Sequence, residues 1–145
     1  MHQSTLHCDF ALPAEWEPQS AIMLTWPHAG TDWKPYLPEI TDTYLELADI
    51  ITRYEQLLVA TPDVPATRYQ LKKKLSAEQM SRVLLYEVES NDTWVRDHGP
   101  LTMVLRRKQN TWMVPYRILD FKFNGWGEKF RWEKDNAITL QLYYQ

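Results

Sequence analysis

The sequence predicts an α/β fold on three observations. Short apolar runs end at turn residues, longer stretches carry apolar residues at helical spacing, and the two kinds alternate along the chain. At 145 residues the length suits one domain that buries most of the surface its unfolded form exposes. No linker, low-complexity segment or clear internal repeat divides it.

Residues 21–26, Ala-Ile-Met-Leu-Thr-Trp, are apolar and closed by Pro27, which predicts a buried strand ending at a turn. A loop rich in Pro, Gly, Asp and Trp follows. From Pro38 onward, Ile40, Tyr44, Leu47, Ala48, Ile51 and Tyr54 fall on one face of a helix, with Thr41 or Asp42 as its cap. Residues 56–60 form the next strand, stopped by Thr61-Pro62-Asp63. Residues 65–80 are rich in helix formers, and Lys72, Lys73 and Lys74 belong on a solvated helix surface. Residues 82–88 make a further strand. After Pro100, residues 101–105 and 112–118 predict two paired strands across an Arg-Lys-Gln-Asn turn, and a helical stretch begins near Glu133.

The formal net charge of -3 argues against general affinity for nucleic acid or an anionic membrane and suits a small cationic partner. The N-terminus lacks the basic, apolar and small-residue succession of a secretion signal, and no apolar run approaches the roughly 20 residues that span a bilayer, so a cytoplasmic protein is expected. The single cysteine, Cys8, cannot close an intramolecular disulfide. No Cys/His spacing suggests zinc and no Gly-rich phosphate loop is present, so no metal or organic cofactor is expected.

The most informative stretch is Asn91-Asp92-Thr93-Trp94-Val95-Arg96-Asp97-His98-Gly99-Pro100, which sets two carboxylates and an indole just past a strand. A guanidinium presents five N–H donors in a rigid plane, so a carboxylate meeting its edge and an aromatic face covering its plane read shape as well as charge. Asp97, expected at a strand end on a turn closed by Gly99-Pro100, is the first candidate, although composition alone favours a turn cap or a partner of Arg96. In an extended segment those neighbours point to opposite sides. Trp94 is a candidate pocket wall or ordinary core, and its offset of three from Asp97 requires the loop to curve. Asp92 is assigned a structural role first and substrate contact second, because Asn-Asp pairs commonly order turns. Trp126, between Gly125 and Gly127, is a candidate wall or a hydrophobic plug, while Lys122 and Asn124 suit solvated or loop-ordering roles.

The decapeptide resembles the Asn-Asp-x-Trp-x-Arg-Asp-x-Gly-Pro signature of the guanidine-modifying agmatine deiminase and bacterial peptidylarginine deiminase family. Three further segments agree in order: Pro13-Ala14-Glu15-Trp16-Glu17-Pro18 with the run 21–24 and Trp26-Pro27, then Leu119-Asp120-Phe121-Lys122-Phe123-Asn124-Gly125-Trp126-Gly127, then Trp132-Glu133-Lys134-Asp135-Asn136. The resemblance implies a five-fold pseudosymmetric α/β propeller of ββαβ modules with the active site in a central channel. On that reading residues 1–145 are the N-terminal portion of a single deiminase propeller domain, incomplete at the C-terminus, supplying about one module and the start of a second. It also implies Asp97 as the guanidinium-binding carboxylate and Trp94 as a wall of the substrate pocket.

Deimination exchanges a terminal guanidine nitrogen for oxygen. In the family a cysteine thiolate attacks the guanidine carbon to form an amidino intermediate, and a histidine within a His-x-Asp element moves protons. Here the one thiol lies in His7-Cys8-Asp9, a decoy, since adjacency in sequence is not the spatial arrangement a nucleophile and base require. His98 stands where many agmatine deiminases carry threonine and reads as a hydrogen-bonded loop histidine. The resemblance therefore implies agmatine plus water giving N-carbamoylputrescine and ammonia, with this chain binding substrate and lacking turnover. Peptidyl-arginine as substrate, and an inactive guanidinium-binding fragment, are the alternatives. Uncovered strand edges of a partial propeller predict a homo-oligomer or aggregation.

Overall fold

A computed structural model describes residues 10–106 and 116–145. His7-Cys8-Asp9, the Arg-Lys-Gln-Asn turn and residues 112–115 of the expected strand lie outside the described residues. The fold is mixed α/β. Where the sequence offers no boundary, the contacts divide the chain into two compact units, residues 1–18 with 100–121 and residues 19–99 with 122–145.

The smaller unit holds a three-stranded antiparallel sheet of β1 (Phe10–Ala11), β5 (Leu101–Leu105) and β6 (Tyr116–Leu119), in the order β1-β5-β6. Phe10 opposes Leu105, and Leu101 opposes Leu119. The Pro-Ala-Glu-Trp-Glu-Pro segment is a turn closed by Glu17, which accepts the Ala14 N–H at 3.2 Å and pairs with Arg106 at 2.6 Å.

The larger unit is built on a parallel sheet ordered β2 (Ala21–Thr25), β3 (Gln56–Thr61) and β4 (Val83–Glu87). Parallel neighbours need crossover connections, and the helical segments between them supply these. α1 (Leu37–Thr52) joins β2 to β3, and α2 (Val64–Lys74) with α3 (Ala77–Met80) joins β3 to β4. Period-two alternation sends the residues of β3 to both faces. Leu57 and Val59 pack with Leu24, Trp26, Ala48, Leu71 and Leu75 against α1 and α2, while Ala60 meets Val88 and Ile138 of α6 (Glu133–Tyr143) on the other side. All five of Ala48, Leu57, Val59, Leu71 and Ile138 are completely buried, so helices cover the sheet on both faces, as a parallel sheet requires.

Several expectations need correction at element ends. α1 starts at Leu37, with Pro38 in its first turn, so neither Thr41 nor Asp42 caps it. Tyr44, Leu45, Ala48 and Ile51 face the core, but Leu47 and Tyr54 are exposed. The stretch 65–80 is two helices: Asp63 caps α2 by accepting the Ala66 N–H at 2.9 Å, and Ser76 opens α3 in a reciprocal capping box with Gln79. Lys72, Lys73 and Lys74 are exposed in the last turn of α2, where the helix dipole favours cations. Among the described residues no helix is long and apolar enough to cross a membrane.

Candidate functional site

At the C-terminal ends of β2 and β4 the larger unit opens a cleft of about 790 Å³. Ligands of open α/β sheets commonly sit beyond the carboxyl ends of the strands. The chain leaves β4, runs through Val88 and Ser90 into Asn91-Asp92-Thr93, and then makes a single helical turn, α4 (Val95–His98). Asp97 is thus on a one-turn helix rather than at a strand end, and the strand-based placement of Arg96 opposite it does not apply. The helical turn supplies the curvature that Trp94 and Asp97 require, because positions three apart on a helix share a side. Both line the cleft, both are exposed, and Arg96 is not part of the wall. Gly99 closes the turn with its N–H on Val95 O at 2.8 Å, and a Cβ there would stand 2.4 Å from that same oxygen.

Asp92 also lines the cleft, and its carboxylate is occupied locally. Oδ1 accepts the Thr93 N–H at 2.8 Å and Oδ2 accepts the Trp94 indole N–H at 3.1 Å. Burial pushes its carboxyl above the usual range, against those two donors. The neighbouring Thr93 is held in turn by the Trp33 indole, whose Nε1 donates to Thr93 Oγ1 at 2.8 Å.

Trp126 forms the facing wall. Its ring is edge-on to Trp94 at 6.2 Å, to Phe123 at 5.1 Å and to Phe130 at 5.8 Å, geometries that aromatic quadrupoles favour. The backbone carrying it, α5 (Gly125–Glu128), is wound the left-handed way: φ is +61° at Gly125, +57° at Trp126, +83° at Gly127 and +62° at Glu128. Glycine enters this region without penalty, but a tryptophan does so at a cost of roughly 1–2 kcal/mol. Asn124 steadies the turn, its side chain accepting the Gly127 N–H at 3.0 Å, so the loop-ordering role expected of Asn124 is the one it plays.

His98 is 2% exposed and lies at 3.3 Å from Thr25 Oγ1 through Nε2. Burial pushes its imidazole down to about 4. The residue therefore fastens α4 to the end of β2 and stays neutral near pH 7, consistent with a hydrogen-bonded rather than catalytic histidine.

The sequence alone did not single out several residues of the wall. Asp32 and His28 come from the loop after β2, Ser90 from the loop after β4, Lys129 and Arg131 from the approach to α6, and Lys134 and Asp135 from its first turn. They are scattered over more than 100 positions; Lys134 and Asp135 fall in the quoted segment 132–136, which suggested no role for them, and no local spacing marks the others. His28 Nδ1 accepts the Gly30 N–H at 3.1 Å, which leaves Nε2 protonated in the neutral ring and donating to Ser90 Oγ at 3.1 Å. That direction is opposite to what a base activating a serine would need. Among the described residues no cluster of three or more His, Cys, Asp or Glu side chains is arranged to hold a metal.

Comparison with known proteins adds to this geometry. Residues 11–145 match the family model of Porphyromonas-type peptidyl-arginine deiminases. The chain is 31% identical to a C. jejuni agmatine deiminase solved with substrate bound and a cysteine-to-serine substitution, covering 94% of this chain and 37% of that one with a TM-score of 0.79. A structure from Porphyromonas gingivalis described as a candidate arginine deiminase is 40% identical, covers 93% of this chain and 36% of that one, and has a TM-score of 0.73. A candidate agmatine deiminase of Yersinia pestis is 30% identical over 138 residues, 92% of this chain and 34% of that protein. The chain thus spans about a third of the length of the relatives it matches.

Proposed function

The chain belongs to the Porphyromonas-type peptidyl-arginine deiminase family, and from that premise we propose that its cleft is the guanidinium-binding part of a guanidine deiminase acting on agmatine. One observation carries the reading: Asp97, Asp92, Trp94 and Trp126 line a single cleft, the two indoles edge-on at 6.2 Å. A planar cation entering there meets carboxylate oxygens at its edge and an aromatic face on its plane. In this reading Asp97 accepts the guanidinium N–H groups, Trp94 and Trp126 cover the plane and alkyl chain, and Asp92 holds the Trp94 ring in place. The reaction consumes agmatine and water and yields N-carbamoylputrescine and ammonia through a cysteine-bound intermediate.

The 145-residue chain alone is proposed to bind without turnover, because its one thiol, Cys8, neighbours His7 in sequence only, and such adjacency is not the arrangement a nucleophile and base require. Calorimetric titration of the purified chain with agmatine and with putrescine tests both statements. Binding of agmatine at least about tenfold tighter than putrescine, with no ammonia released, is the expected result. Equal affinities would remove the guanidinium reading, and ammonia release by a chain of verified mass would remove the second statement.

Peptidyl-arginine is the second reading, favoured by the match of residues 11–145 to the model of peptidyl-arginine deiminases. Tighter binding of a short arginyl peptide than of agmatine would select it. The expected propeller architecture, with the cleft opening on its central channel, belongs to the same proposal, as does oligomerisation, which sedimentation of the purified chain would reveal.

A further inference from the structure

The loop that carries the binding residues and the start of α6 hold each other through a reciprocal pair of contacts. Asp135 Oδ1 accepts the backbone N–H of Asn91 at 2.6 Å and of Asp92 at 3.1 Å. In return, Asn91 Oδ1 accepts the backbone N–H of Lys134 at 2.8 Å, one of the donors that a helix leaves unpaired in its first turn. A Glu89–Lys134 ion pair at 2.7 Å spans the same junction, but both partners are exposed and such pairs contribute little. The weight falls on the two buried or half-buried side chains.

Asp135 is 2% exposed, and burying a carboxylate is costly unless donors satisfy it. Both donors are loop amides, which have no strand partner and would otherwise be stranded beside the cleft. One oxygen therefore fixes two consecutive peptide units. The second of these belongs to Asp92, whose own carboxylate accepts the Thr93 N–H and the Trp94 indole N–H. A continuous hydrogen-bonded path runs from α6 through the 91–92 backbone to the Asp92 carboxylate and the Trp94 ring.

We propose that Asp135 is a positioning residue: it sets the orientation of Trp94 in the cleft through the backbone of Asn91 and Asp92, with Asn91 as its reciprocal partner. The effect on ligand affinity rests on the guanidinium reading above, whereas the link between Asp135 and Trp94 does not.

The test uses the ¹⁵N-labelled 145-residue chain. It follows the Trp94 indole N–H resonance, assigned with Trp94→Phe, in the absence of ligand, together with calorimetric affinity for agmatine. Asp135→Ala is expected to move that resonance and to weaken agmatine binding roughly tenfold or more, the consequence of orphaning two half-buried donors. Asp135→Asn keeps a carbonyl acceptor and is expected to restore both readings most of the way. Asn91→Ala, at a less buried position, should move the resonance in the same direction and serves if Asp135→Ala fails to fold. A Trp94 resonance unmoved by Asp135→Ala, or by Asn91→Ala in its stead, overturns the proposal. So does an Asp135→Asn variant as weak as Asp135→Ala, which would make Asp135 a charged ligand contact. If the resonance moves as expected while the unaltered chain ignores agmatine, the link stands and only the guanidinium reading falls.

Discussion

Trp94 donates its indole N–H to Asp92 Oδ2 at 3.1 Å, so the ring facing the cleft is steered by a carboxylate two residues earlier in the chain. Face and steering are separable. Trp94→Phe keeps an aromatic face and loses the donor, whereas Trp94→Ala loses both. Agmatine affinity is expected to fall in the order wild type, Phe, Ala, with Ala about 2- to 30-fold weaker than wild type. Calorimetry on the three proteins checks it, and a Phe variant as weak as Ala would mean that the steering bond, not the ring, matters most.

Asp97 lines the cleft from the third position of the α4 turn. Charge-assisted bonds to a guanidinium are worth roughly 1.5–3 kcal/mol each, so Asp97→Asn should weaken agmatine about 10- to 150-fold while leaving the thermal midpoint nearly unchanged. A large loss of stability instead would place Asp97 among the structural carboxylates.

His98 gives a pH dependence with a definite sign. Its folded value, about 4, lies below the ordinary 6.5, so the unfolded chain takes up the proton first as pH falls. The stability associated with its neutral form is complete above about pH 6.5 and declines as pH drops toward 4, by on the order of 3 kcal/mol. Asp92 and Asp135 are both raised by burial and so oppose this trend, their contribution being present at low pH and lost as pH rises through their folded values. The His98 part is therefore isolated by difference: chemical denaturation of wild type and His98→Asn at pH 7 and pH 5 should show the gap between them shrinking at the lower pH.

Trp126 occupies a backbone conformation that asparagine tolerates and valine does not. Trp126→Asn is expected to be more stable than Trp126→Val by about 1 kcal/mol, the reverse of their hydrophobic order. Denaturation midpoints decide it. A more stable valine variant would show that the left-handed turn is not held in solution.

How much of this was legible beforehand depends on range. The strands around Met23, Leu58 and Leu85 were visible because a doubly covered parallel strand reads as a continuous apolar run, and α1 was visible because sixteen residues display their period. The turn at 95–98 was not, since four residues show no period and Val95 next to a strand invites extension. The left-handed turn at Trp126 was hidden behind its flanking glycines: they advertise unusual backbone, but nothing advertises that the tryptophan shares it. In the site, Trp94, Asp97, Asp92 and Trp126 lie in dense local motifs. Asp135 lies in the quoted segment 132–136 but had no role assigned there, His28 lies in no quoted motif, and only the fold brings them to the cleft.

The contacts that Asp135 makes with Asn91 and Asp92 span 43 to 44 positions. During synthesis the three parallel strands and their crossover helices can leave the ribosome and pair while the loop beyond them still lacks its anchor. Loop order thus ripens after the scaffold: in a nascent chain the amides of Asn91 and Asp92 gain their anchor only once the helix that starts at Glu133 has emerged and docked.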